Sequence, residues 1–69
     1  MFLHEAITQV LKEHNRPMTA RELVDEINRR KLYIKRDESS IKTSQIHARV
    51  KNYPHLFRKS DGLISIRED

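Results

Sequence analysis

Two prolines and one glycine are the only strong punctuation in this chain of 69 residues. Pro17, Pro54 and Gly62 divide it into segments whose periodicity can be read separately. Before Pro17, the residues Leu3, Ala6, Ile7, Val10 and Leu11 recur at helical spacing with polar residues between them. That spacing predicts a first helix of about three turns, ending near Asn15 because proline lacks the N–H the helix needs. After Pro54, residues 56–59 and 63–67 form two runs joined by Ser60-Asp61-Gly62. Asp-Gly between such runs predicts a β-hairpin, since both central residues of its tight turn need positive φ. Phe57, Ile66 and either Leu63 or Ile64 are expected to face the core.

Between the prolines the sequence has room for two helices. Thr19-Ala20-Arg21-Glu22 fits a capping box, in which Thr19 accepts from the Glu22 amide and the Glu22 carboxylate reaches back to the Thr19 amide. Met18 before the cap and Leu23 at the fourth helical position form a hydrophobic staple. Helix two is expected from Ala20 to about Arg30, burying Leu23, Val24 and Ile27, with its acids early and its bases late as the macrodipole favours. Leu32-Tyr33-Ile34 is expected to tuck into the core, and residues 35–39 read as a loop.

The third helix is expected over about 41–53, capped by Ser40 or Thr43 and stopped by Pro54. At about 100° per residue, Ile46, Val50 and Tyr53 fall on one side, with Ile41 able to join them. The opposite side collects Ser44, His47, Ala48, Lys51 and Asn52, a face that is small, polar or basic and carries no acid. Such a face is either an ordinary solvated surface or one laid into the DNA major groove, where small residues allow close approach and Asn, Lys, Ser and Gln meet base edges or phosphates. Arg49 lies beside the apolar stripe and is expected to cover it with its stem and pair with an acid of helix two.

Charge supports the second alternative. The net +4 hides a separation: residues 29–60 carry ten basic side chains against Asp37 and Glu38, a balance of +8, while each flank is at −2. From Ser39 to Ser60 there is no acid, and a directional positive field suits a polyanion. Arg29, Arg30, Lys31, Lys35 and Arg36 read as phosphate contacts or as a solvated helix end. Arg58 and Lys59 lead to the hairpin tip, where Asp61 argues against deep insertion.

Other classes find little footing. With no cysteine there is neither a disulfide framework nor a thiolate metal site, which fits a reducing cytoplasm. His4, His14, His47 and His55 are spread over three expected elements without metal-ligand spacing. One glycine cannot build a phosphate-cradling loop, the serines and threonines sit at caps and helix starts, and no apolar run approaches a membrane span. No catalytic residue, metal or cofactor is expected.

Residues 3–11 followed by Arg16-Pro17-Met18-Thr19-Ala20-Arg21-Glu22-Leu23-Val24 resemble the opening of the HARE-type helix-turn-helix family. Its members enter their second helix through Pro, Met or Leu, Thr or Ser, and then an acid followed by Leu or Ile. Ile46-His47-Ala48-Arg49-Val50 and residues 57–66 continue the resemblance over nearly the whole chain. The chain departs from the family in its short link between helices two and three and in carrying no fused domain. The resemblance implies DNA binding, in domains attached to restriction endonucleases and other DNA-acting enzymes, chromatin proteins and the delta subunit of bacterial RNA polymerase.

The expectation is a single domain over 1–69, α+β but mainly α: a three-helix winged helix-turn-helix with a C-terminal β-hairpin wing. It binds double-stranded DNA through Lys42, Thr43, Ser44, Gln45, His47, Ala48, Lys51 and Asn52 of the recognition helix. Arg58 and Lys59 of a wing over about 56–67 lie on the backbone. A fused or associated nuclease or RNA polymerase, in a restriction-modification or transcription-regulation setting, is the expected partner. The alternative is a module that docks onto such an enzyme as a protein.

Overall fold

Three helices begin by the same device. They span Leu3–His14 (α1), Ala20–Arg30 (α2) and Thr43–Asn52 (α3) in a computed structural model that describes residues 2–35 and 40–67. In each, the third helical residue turns its side chain back to accept the N–H of the cap: Glu5 from Phe2 at 2.8 Å, Glu22 from Thr19 at 2.9 Å, Gln45 from Lys42 at 2.9 Å. Only α2 has the reciprocal bond, from the Glu22 N–H to the Thr19 hydroxyl at 3.1 Å, because neither Phe2 nor Lys42 has a side-chain acceptor. The cap of α3 is therefore Lys42, not Ser40 or Thr43. Gln45 fixes the start three residues upstream of itself, and Thr43 becomes the first helical residue.

The helices end as their sequences suggest. Asn15 and Lys31 close α1 and α2 in the left-handed region, both at φ 53°, and return their N–H groups to the last carbonyls. Leu3, Ile7 and Val10 of α1, Leu23 and Ile27 of α2 and Ile46 of α3 meet in one core, joined by Ile41 from the approach to α3. Leu32 and Tyr33 pack against it while Ile34 is 55% exposed, so only the first two residues of that run tuck in. Of the expected 35–39 loop, residues 36–39 lie outside those described.

The sheet has one strand more than the expected hairpin. Met18–Thr19 (β1), Phe57–Ser60 (β2) and Leu63–Ile66 (β3) form an antiparallel sheet in the order β1-β3-β2. An N-cap residue already has extended dihedrals, and Thr19, at φ −75° and ψ 161°, is thereby ready to pair with Leu63 while Met18 pairs with Ile64. Pairing of β2 with β3 closes at Ser60–Leu63, leaving Asp61 (φ 52°) and Gly62 (φ 78°) as the two-residue turn that the Asp-Gly signal predicts. Ile64, not Leu63, is the buried one of the pair, and Phe57 is buried with it. The result is a mainly-α winged helix-turn-helix whose wing is β2–β3.

Candidate nucleic-acid interface

The two sides of α3 differ as the wheel requires. Ile46 and Val50 are buried and Tyr53 is half-buried, whereas Ser44, His47, Ala48 and Lys51, at i, i+3, i+4 and i+7, form one exposed row. Asn52, the last helical residue, is exposed beside them, as is Lys42 at the other end. Thr43 and Gln45 are half-buried at the helix start, and Gln45 commits its Oε1 to the Lys42 N–H, leaving only its Nε2 free to meet a ligand.

Ion pairing sorts the cations into two sets. Arg16 pairs with Glu22 at 3.1 Å, Arg21 with Asp25 at 3.4 Å and Arg29 with Glu26 at 2.7 Å. Arg30 holds Glu13 across the helix pair and lies 3.8 Å from Glu26. Hydrogen bonds from Arg30, from the Thr19 backbone with Arg16, and from Arg29 hold the carboxyls of Glu13, Glu22 and Glu26 respectively below their ordinary value. Arg29 and Arg30 thus spend their charge inside the molecule, and of their basic neighbours Arg36 lies outside the described residues. Lys42, Arg49, Lys51 and Arg58 have no ion pair among the described residues.

Arg49 departs from expectation. It is half-exposed beside the core but meets no acid of α2, because Glu22, Asp25 and Glu26 are already engaged by arginines of α2 and its approach. Its guanidinium therefore joins the unpaired set near the outer face of α3.

The wing pair also separates. Successive residues of a strand point to opposite sides, so Lys59 shares a side with buried Phe57, and Arg58 faces the other way, opposite Ser65. Lys59 reaches across to α3, its Nζ 2.9 Å from Nδ1 of His47. Together with Ala48, Val50, Lys51, Pro54 and Phe57 these two residues line a groove between helix and wing. The strand alternation that parts Arg58 from Lys59 was available in the sequence; the His47 contact was not.

A second link had no sequence signal. The His4 ring stacks on Tyr53 with centroids 4.3 Å apart, and Phe2 stacks on His4 at 5.7 Å, so the start of α1 is tied to the end of α3. Among the described residues no cluster of His, Cys, Asp and Glu could hold a metal, and no helix is long and apolar enough to cross a membrane.

A comparison with protein families matches residues 1–68 to HARE-HTH, the helix-turn-helix domain described for ASXL proteins and restriction endonucleases. No curated protein and no solved structure matches the chain.

Proposed function

The chain belongs to the HARE-HTH family of helix-turn-helix DNA-binding domains, and from that membership we propose that it binds double-stranded DNA with α3 in the major groove and the wing along the flanking backbone. The observation that supports this best is the exposed, acid-free row Ser44, His47, Ala48 and Lys51, set among cations without internal ion partners. Lys42, Arg49, Lys51 and Arg58 supply phosphate contacts, with Thr43 and Gln45 near the helix start. Ser44, His47, Ala48 and Asn52 meet base edges, Ala48 being small enough for close approach. Lys59 stands at the seam of helix and wing. The domain contributes recognition rather than chemistry: it brings an associated nuclease, polymerase or transcription factor to the duplex, in the cytoplasm.

The competing reading, docking onto a nucleic-acid enzyme as a protein module, draws on Phe2 and Ile34, which are 67% and 55% exposed. Neither belongs to α3 or the wing. The test is salt dependence. Log affinity for duplex should fall linearly with log salt by about 0.9 per phosphate contact, so four or five contacts give a slope of about −4. No duplex binding at low salt, or binding indifferent to salt, would favour protein docking.

A further inference from the structure

His47 and Lys59 come from different elements and meet at one polar atom each, Nδ1 and Nζ, 2.9 Å apart. An ammonium has three donors and no lone pair, so Nδ1 accepts and the ring proton resides on Nε2. The stem of Lys59 starts on the inward side of β2 beside buried Phe57, which fixes where its ammonium can reach. The imidazole is thereby restrained both in rotation and in tautomer. Its remaining polar atom, Nε2–H, is a donor only, on an exposed residue in the middle of the outer row of α3.

A lone donor discriminates between bases. Guanine presents two adjacent acceptors in the major groove, N7 and O6, whereas cytosine presents a donor and adenine sets a donor beside its single N7. The neighbouring ammonium strengthens the preference for paired acceptors. Resting on the DNA-binding reading above, we propose that His47 is a specificity-determining residue that reads guanine through Nε2–H, and that Lys59 is the positioning residue that sets its tautomer.

The experiment has two parts on the same proteins: wild type, His47→Gln and Lys59→Met. Duplexes are selected from a randomised pool, and the His47 ring is observed in the free protein by long-range nitrogen–proton correlation spectra. The wild type should show the Nε2–H tautomer and select a guanine that, replaced by 7-deazaguanine, loses about fivefold or more in affinity. His47→Gln should move that position towards adenine, since an amide offers both the acceptor and the donor that adenine matches. Lys59→Met should give a mixed tautomer and flatten the same position, although Lys59 does not itself touch the base. An Nδ1–H tautomer in the wild type, a guanine preference indifferent to His47→Gln, or a loss in His47→Gln that is uniform across all duplexes would each overturn the assignment. Those results leave salt-dependent duplex binding intact and sink this inference alone. A pool that yields no bound duplex at low salt sinks the DNA-binding reading, and this assignment with it.

Discussion

The side-chain amide of Asn28 closes on the backbone of Ile41: its Nδ2 donates to the Ile41 carbonyl and its Oδ1 accepts from the Ile41 N–H, both at 3.2 Å. One residue of α2 thus satisfies both backbone polar groups of the residue leading into α3, while the Ile41 side chain is buried at the same place. The contact does what a strand partner would do, across a separation of 13 residues. It sets the point from which α3 departs, and hence the direction in which Ser44, His47, Ala48 and Lys51 face.

Asn28→Ala should therefore cost more than an ordinary surface change. Two part-buried backbone groups lose their partners, at about 1–3 kcal/mol in total. For a domain of this size each kcal/mol lowers the melting temperature by about 4–8 °C. Asn28→Asp keeps the acceptor and loses the donor, and should melt between the two. Thermal melts of the three proteins decide it, and a wild-type melting curve for Asn28→Ala would remove the clamp from the account of how α3 is placed.

Acid should loosen the helix starts and the α1–α2 seam. The carboxyls of Glu13, Glu22 and Glu26 lie below their ordinary value of 4.5 in the folded protein. Stability from a depressed carboxylate is complete above the unfolded value and is lost as pH falls through the folded one. The melting temperature should thus be flat near neutrality and fall below about pH 4.5. Glu22→Gln should make that fall shallower, because the amide still accepts from Thr19 N–H but no longer titrates. At neutral pH, Thr19→Ala should cost about 0.5–2 kcal/mol through the lost cap. An acid limb identical in Glu22→Gln and wild type would exclude Glu22 as a contributor.

What could be read in the sequence was local, and what could not was a partner brought from far along the chain. The start of α2 was legible because Thr19 and Glu22 satisfy each other within one turn. The hairpin turn was legible because Asp61 and Gly62 tolerate the left-handed region that a two-residue loop requires. The burial phase of α3 followed from Ile46 and Val50 alone. By contrast, β1 arises because residues 18–19, extended for the sake of the cap, find β3 more than forty residues later. The cap at Lys42 depended on Gln45 rather than on a hydroxyl at the cap itself. Arg49 was assigned an acid because acids exist on α2, and only the ion-pair pattern reveals that Arg16, Arg21 and Arg29 had taken them.

Lys51 and Arg49 now give a sharper contrast than helical phase alone. Lys51 is exposed in the outer row, so Lys51→Ala should leave the melting temperature within about 0.5 kcal/mol of wild type. It should weaken duplex binding across sequences and make the salt slope shallower by about 0.9. Arg49→Ala should lose stem packing and, lacking an ion pair to lose, only modest stability; its unpaired guanidinium should register in the salt slope as well. Melting and salt-dependent binding are to be measured on both. If Lys51→Ala unfolds the domain while Arg49→Ala only loses DNA, the outer face has been assigned a quarter turn away from its true position.

The wing tip can be tested without disturbing its turn. Gly62 sits at φ 78° with nothing within 4 Å of where a Cβ would lie, so Gly62→Ala meets no steric obstacle and its cost is the backbone conformation alone, about 1–2 kcal/mol. Asp61 is also left-handed, at φ 52°, a conformation that asparagine accepts readily, and Asn-Gly is itself a favoured hairpin pair. Asp61→Asn should therefore preserve the hairpin while removing the acid at the tip. If the wing runs along the phosphate backbone, this variant should bind duplex more tightly than wild type at low salt, and the gain should fade as salt screens the repulsion it relieves. Affinities of wild type and Asp61→Asn across a salt series measure this directly, with melting curves to establish that the turn is intact. Equal affinities at every salt concentration would take the tip away from the duplex and leave the stem of the wing, where Lys59 meets His47, as the part that lies against DNA.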